Sequence, residues 1–245
     1  MSISKHIPNT VTLLNLTAGT VSIFFAVKGD PGSLATAGIF IFIAALLDFL
    51  DGFAARMLHA RSAMGLQLDS LSDMVSFGVA PGFILYQMLI LSHGKPMEIV
   101  DGVNLVPFFA IFVVWGSALR LAKFNIDTDQ QLEFKGLPTP ALAILIASLP
   151  LIRQDLYDER GFYYMIITNS YFLLAIAVFG SLLLISKFPM FSLKFKTFGW
   201  KDNMIKYIFL LISLTLVIFL GFGAVPYILF VYLFFSLIIY LTDIQ

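Results

Sequence analysis

The stretch LLDFLDGFAARMLHARSAMGLQLDSLSD, Leu46 to Asp73, sets four aspartates and two arginines in strongly apolar surroundings. Asp48 and Asp51 are three residues apart and Asp69 and Asp73 four, so in helices each pair shares one face. Met57 to Met64 reads as a turn, with Gly65 opening a return helix. Asp48 precedes Arg56 by eight residues and Asp73 follows Gly65 by eight, which puts both about 12 Å beyond the turn, with Asp51 and Asp69 about half as deep. Four carboxylates converging across such a hairpin repel one another and need cations. All-oxygen ligation suits hard divalent ions, Mg²⁺, Mn²⁺ or Ca²⁺, rather than zinc. Metal pairs of this kind recur where phosphoryl groups are transferred. Gly52 removes a side chain beside Asp51, Ala55 and Gly65 keep neighbouring helices thin, and Arg56 offers a planar fork to phosphate.

The elements that must position these residues are membrane helices. A chain of 245 residues that is 59% hydrophobic and 12% charged, with mean hydropathy +0.93, carries more apolar side chains than one soluble core can hide. Eight apolar runs, near 11–27, 35–55, 68–91, 106–122, 137–152, 163–185, 205–220 and 225–241, approach the roughly 20 residues that cross a bilayer. The expected fold is an all-α, polytopic bundle of eight transmembrane helices. The fifth run is short and proline-rich. Residues 1–9 are expected to lie along the membrane interface. The chain divides into a helical bundle at 1–186 that carries the acids and a C-terminal helix pair at 187–245, poor in polar side chains and suited to a scaffold or contact surface.

Lys5, Arg56, Arg61, Arg120, Lys123, Lys135, Lys187, Lys194, Lys196, Lys201 and Lys206 fall on one side of this arrangement. Lys28, Lys95, Arg153 and Arg160 fall on the other. The positive-inside bias then makes both termini cytoplasmic. The absence of cysteine excludes disulfides and thiolate metal sites, and the scattered His6, His59 and His93 make no zinc cluster. No basic cluster suits nucleic acid.

The pattern DxxDGxxARx8GxxxDxxxD is met at every fixed position by Asp48, Asp51, Gly52, Ala55, Arg56, Gly65, Asp69 and Asp73. In this the chain resembles the CDP-alcohol phosphotransferase family. The resemblance implies a membrane enzyme that displaces CMP from a CDP-linked lipid with an alcohol, using two divalent ions, Mg²⁺ or Mn²⁺, with Ca²⁺ as another bound ion. It implies that Asp48, Asp51, Asp69 and Asp73 hold the metals and that Asp73 is also the base on the attacking hydroxyl. Gly52, Ala55, Arg56 and Gly65 would line the CDP-lipid site. The competing reading, a non-enzymatic cation transporter with intramembrane acids, explains neither Gly52, Ala55 and Arg56 nor the paired depths. Arg61 is expected to snorkel and His59 to be a loop residue.

The segments IPNTVTLLNLTAG, SDMVSFGVAPG, SALRLAKFNI and FKGLPTPALA are similar to those of the bacterial and archaeal phosphatidylserine synthase branch of that family. That branch often has arginine where Lys123 stands. The resemblance implies CDP-diacylglycerol and L-serine as substrates, a homodimer among membrane lipids, and a site facing the cytoplasm of a bacterial or archaeal membrane. An amino-acid acceptor wants a cation for its carboxylate, which Arg120 and Lys123 can supply, with Phe124 and Asn125 as further candidates. The same chemistry with glycerol 3-phosphate or inositol phosphate would call for more basic residues than these.

Overall fold

The computed structural model describes residues 6–60, 62–94, 104–126, 135–191 and 199–242, without the side chains of 201, 202 and 242. Lys5, Arg61, Lys95, Lys194 and Lys196 lie outside the described residues. The chain runs through α1 (His6–Lys28), α2 (Pro31–Met57), α3 (Ala63–Asp73), a π-helical turn (Met74–Val79) and α4 (Ala80–Ile90). A 3₁₀ turn (Val106–Ala110) leads into α5 (Ile111–Ile126), followed by α6 (Thr139–Asp155), α7 (Phe162–Ile167) and α8 (Ser170–Ala175). A second π turn (Ile176–Gly180), α9 (Ser181–Ile185), α10 (Trp200–Leu220), a 3₁₀ turn (Gly221–Gly223) and α11 (Ala224–Thr242) complete it. Among the described residues there is no strand, only two isolated bridges.

Each of the eight apolar runs falls on helix. Five stretches are long and apolar enough to cross a membrane: His6–Lys28, Pro31–Met57, Ala63–Ile90, Val106–Ile126 and Asn203–Leu241. The chain is thus a helical membrane protein. The sixth run, expected as one span, is interrupted at Thr168 and Asn169, where a parallel bridge to His93 replaces helical pairing. The N-terminus also differs from expectation. From His6 onward it is already part of α1, with His6 and Ile7 exposed and Pro8 buried, so residues 6–9 continue the first helix of the bundle.

Small residues let these helices approach closely. The buried face of α1 is Pro8, Thr12, Asn15, Ala18, Gly19, Ser22 and Ala26, and Ser22 Oγ donates across to the Ala37 carbonyl of α2 at 2.8 Å. Where lipid tails give helices no hydrophobic reason to associate, such close packing and interhelical hydrogen bonds hold them together. Between α1 and α2, Asp30 caps α2 by accepting from the Ser33 N–H at 2.9 Å. This hydrogen bonding holds its exposed carboxyl below the usual carboxylate range. The short α6 is central, with every residue from Leu145 to Ile152 buried. Its closeness to α2 depends on Gly38, where a methyl group would press into the Ala147 carbonyl oxygen. Gly38→Ala is therefore expected to overpack this crossing by about 1–3 kcal/mol and lower Tm in detergent by at least about 2 °C. An unchanged Tm would refute the close approach.

The C-terminal pair meets the bundle through Tyr227 on Tyr163 at 5.9 Å and Phe222 on Phe42 at 5.4 Å between centroids, and is held together by further aromatic rings. Phe191 packs on Tyr232 at 4.8 Å and on Phe209 at 5.4 Å between centroids. Tyr232 OH donates to the Phe191 carbonyl at 3.1 Å.

Candidate metal and nucleotide site

The turn between α2 and α3 is built by local hydrogen bonds. Leu58 N–H reaches Ala54 O at 2.9 Å and Ala60 N–H reaches Ala55 O at 3.1 Å. His59 takes a positive φ of 51° to reverse the chain, which agrees with its reading as a loop residue. Ser62 then caps α3, accepting from the Gly65 N–H at 3.0 Å. A methyl group on Gly65 would lie 3.0 Å from Asn9 Oδ1 and 3.1 Å from Ser62 Oγ, so the glycine lets the start of α3 sit against α1.

Across this hairpin Asp48, Asp51 and Asp69 each offer a carboxylate oxygen, all within 4.8 Å of one another. Two unit charges about 4 Å apart repel by about 4 kcal/mol at the effective dielectric of a protein surface. Asp73 joins from the deeper end, its carboxyl beside that of Asp48. Asp51 is 5% exposed and lies near the Thr12 hydroxyl of α1. That hydroxyl donates to the Pro8 carbonyl at 3.0 Å. Asp51 Oδ2 and Asp73 Oδ1 are buried without a hydrogen-bond partner. Clustered, partly orphaned carboxylate oxygens are what a hard divalent cation needs, so the residues present fit such an ion.

Beside the acids opens a cleft of about 520 Å³, walled by Pro8, Asn9 and Thr12 of α1, by Gly52, Ala55 and Arg56 of α2, and by Gly65 and Asp69 of α3. This volume lies within the usual range for small-molecule sites. The structure thus gathers the whole signature into one place. It also adds Pro8, Asn9 and Thr12, which reasoning from the signature missed. The signal was present as polar residues inside an otherwise apolar first helix.

The acceptor candidates all lie on α5 and divide. Asn125 Nδ2 donates to Ser70 Oγ at 3.0 Å, which brings the end of α5 against α3 beside Asp69. Lys123 is half-buried and Phe124 exposed. Arg120, read from the sequence as free for the acceptor, is half-buried and donates through Nη1 to the Lys135 carbonyl at 3.1 Å and the Leu184 carbonyl at 3.3 Å. It therefore ties α5 to the end of α9 and to the segment entering α6.

Comparison with known proteins agrees with this geometry. The CDP-alcohol phosphatidyltransferase family profile matches residues 5–186. A CDP-diacylglycerol–serine O-phosphatidyltransferase of Mycobacterium leprae is 36% identical over 191 residues, covering 75% of this chain and 57% of the relative. One from Helicobacter pylori strain 26695 is 32% identical over 213 residues, covering 86% and 80%. One from Bacillus subtilis is 33% identical over 150 residues, covering 59% and 75%. The chain therefore spans little more than half of the mycobacterial relative but most of the other two. With the signature gathered at the acid cluster and the cleft beside it, and most of its length matched, the chain belongs to the CDP-alcohol phosphatidyltransferase family.

Proposed function

We propose that the protein transfers the phosphatidyl group of CDP-diacylglycerol to the hydroxyl of L-serine, giving phosphatidylserine and CMP. The observation that carries this is the cluster of Asp48, Asp51 and Asp69 oxygens beside the cleft. The names of the similar proteins support serine as the acceptor. Asp48, Asp51, Asp69 and Asp73 would hold two divalent cations, which when bound supply positive charge to the phosphates. Gly52, Ala55 and Gly65 leave room for the nucleotide, and Arg56 donates to a phosphate oxygen. Asp73 takes the proton of the serine hydroxyl as the new oxygen–phosphorus bond forms and the bond to CMP breaks in a single displacement. Lys123, Phe124 and Asn125 border the serine, with Arg120 holding α5 in place beside them.

The bundle at 1–186 performs this chemistry, and the pair at 187–245 serves as scaffold or contact surface, including contact between two copies in a homodimer. Eight crossings with both termini cytoplasmic put the acid hairpin at the cytoplasmic face of a bacterial or archaeal membrane. The chain has no native cysteine, so Ser62→Cys and Tyr157→Cys should label from opposite sides with an impermeant thiol reagent. Labelling of both from one side would refute this topology.

The functional test supplies purified protein with CDP-diacylglycerol, a divalent ion and serine, glycerol 3-phosphate or inositol phosphate, and weighs the lipid product. Phosphatidylserine is expected. Another phosphatidyl product would overturn the serine assignment alone, and no CMP release with any alcohol would favour the transporter reading. Lys123→Ala should raise the KM for serine with kcat nearly unchanged, as loss of a contact made equally in ground and transition states does. Wild-type serine kinetics in that variant would remove Lys123 from the acceptor site.

A further inference from the structure

Asn15 lies in the middle of α1 at 0% exposure, and neither its Oδ1 nor its Nδ2 has a hydrogen-bond partner. A buried polar group left unsatisfied destabilises the fold. An apolar residue of similar shape would serve packing better, so fold stability gives no reason for an amide here.

Its place in the helix register supplies one. The Thr12 hydroxyl lies near Asp51 of α2, and the Thr12 carbonyl accepts from Ser72 Oγ of α3 at 3.1 Å. Asn15 comes one turn deeper on the same buried face of α1. Its carbonyl accepts from Ser76 Oγ at 3.1 Å. Asp48 is likewise one turn deeper than Asp51, and it meets Asp73, which lies between Ser72 and Ser76 in the chain. These contacts bring α1, α2 and α3 together at one level, with the Asn15 backbone held beside the segment that follows Asp73. Asp73 Oδ1 is a buried acceptor without a donor, and Asn15 Nδ2 is a buried donor without an acceptor. The two unmet needs are complementary and lie at one depth on adjoining helices.

We infer that Asn15 is a positioning residue for Asp73, its amide N–H donating to the Asp73 carboxylate during phosphatidyl transfer. In the structure Asp73 leans on Asp48. With Asp48 committed to holding a cation, the Asn15 amide would take the place of that contact and leave the other Asp73 oxygen free for its roles as cation ligand and base. A base whose direction is fixed in this way does not have to be ordered as the proton moves. The inference rests on the reading of Asp73 as the base.

The test compares Asn15→Leu and Asn15→Ser with wild type in the full-length chain. Asn15→Leu keeps the shape and removes both polar ends. It should leave the Tm of the ion-free protein equal or higher, keep CDP-diacylglycerol affinity within about twofold, and lower kcat about 10²-fold. Asn15→Ser retains a short donor and should lose less, about tenfold in kcat. A purely structural amide would give the reverse pattern, a lower Tm with wild-type kcat in Asn15→Leu, and would overturn the inference. Equal losses of lipid affinity and kcat would also overturn it, by making Asn15 a CDP-lipid contact. If Asn15→Leu does not fold, wild-type kcat in Asn15→Ser overturns it. CMP release is measured with whichever alcohol the wild-type protein accepts, so an error in the serine assignment shows in the wild type and is separate from any Asn15 effect.

Discussion

Asp69→Asn is expected to abolish both divalent-ion binding and CMP release while the helical bundle stays folded. Asp69 is the one member of the close carboxylate cluster supplied by the return helix, the other two coming from α2. Without it, α3 contributes to the site only through Asp73, which leans on Asp48 at the deeper end. Losing a partner that merely orients a metal ligand costs about 10–100-fold, and losing a ligand should cost more. The amide also removes one charge from a set of mutually repelling carboxylates, so the ion-free variant should unfold at an equal or higher temperature than wild type. Titration with Mn²⁺ followed by spin resonance, CMP release and thermal unfolding give three separate readings. Wild-type turnover in the variant, or in wild type under excess chelator, would sink the metal assignment. A collapse in Tm would instead make Asp69 a structural residue.

Asp73→Asn should separate binding from chemistry. If Asp73 takes the hydroxyl proton, the amide cannot, and kcat should fall by about 10²-fold or more. CDP-diacylglycerol affinity should change far less, because the cleft proposed for the nucleotide is lined by residues such as Pro8, Asn9, Gly52, Arg56 and Gly65 and not by Asp73. The position of Asp73 fits this division, since it lies outside the close cluster of Asp48, Asp51 and Asp69 and at its deeper end. Equal losses of lipid affinity and turnover would make it a ligand only.

How far the sequence could be read depends on how local each feature is. The acid hairpin was legible because helix periodicity converts spacings of three and four into shared faces, and because Ser62 and Gly65 carry local turn chemistry. The apolar runs were legible from length alone. The contribution of α1 to the cleft was not, because Asn9 and Thr12 reach the site only through the packing of α1 on α2 and α3. Arg120 shows the limit of reading charge by sign. Its guanidinium reads as free for a carboxylate ligand, yet Nη1 donates to two backbone carbonyls, of Lys135 and Leu184, supplied by distant parts of the chain. The interruption of the sixth run at Thr168 was hidden for a similar reason, since the bond that replaces helical pairing there comes from His93.

The π-helical turn at Met74–Val79 begins at the residue after Asp73, and the Ala80 N–H reaches back to the Val75 carbonyl rather than to the Ser76 carbonyl one residue nearer. Such a turn inserts one residue into the helical count, and each residue of an α-helix advances the azimuth by about 100°. The residues upstream and downstream of it are therefore out of phase. Asp69 and Asp73 are aimed by one phase, and the core positions Ile84, Leu85, Met88 and Leu89 by another. The phase slip frees the side that holds the acids from the side that fills the interior, so neither has to compromise its direction for the other within one continuous membrane helix. The slip is itself anchored, since Ser117 Oγ of α5 donates to the Phe77 carbonyl inside the turn at 3.4 Å. The helix that carries Lys123, Phe124 and Asn125 near its end thus also braces the turn that follows Asp73.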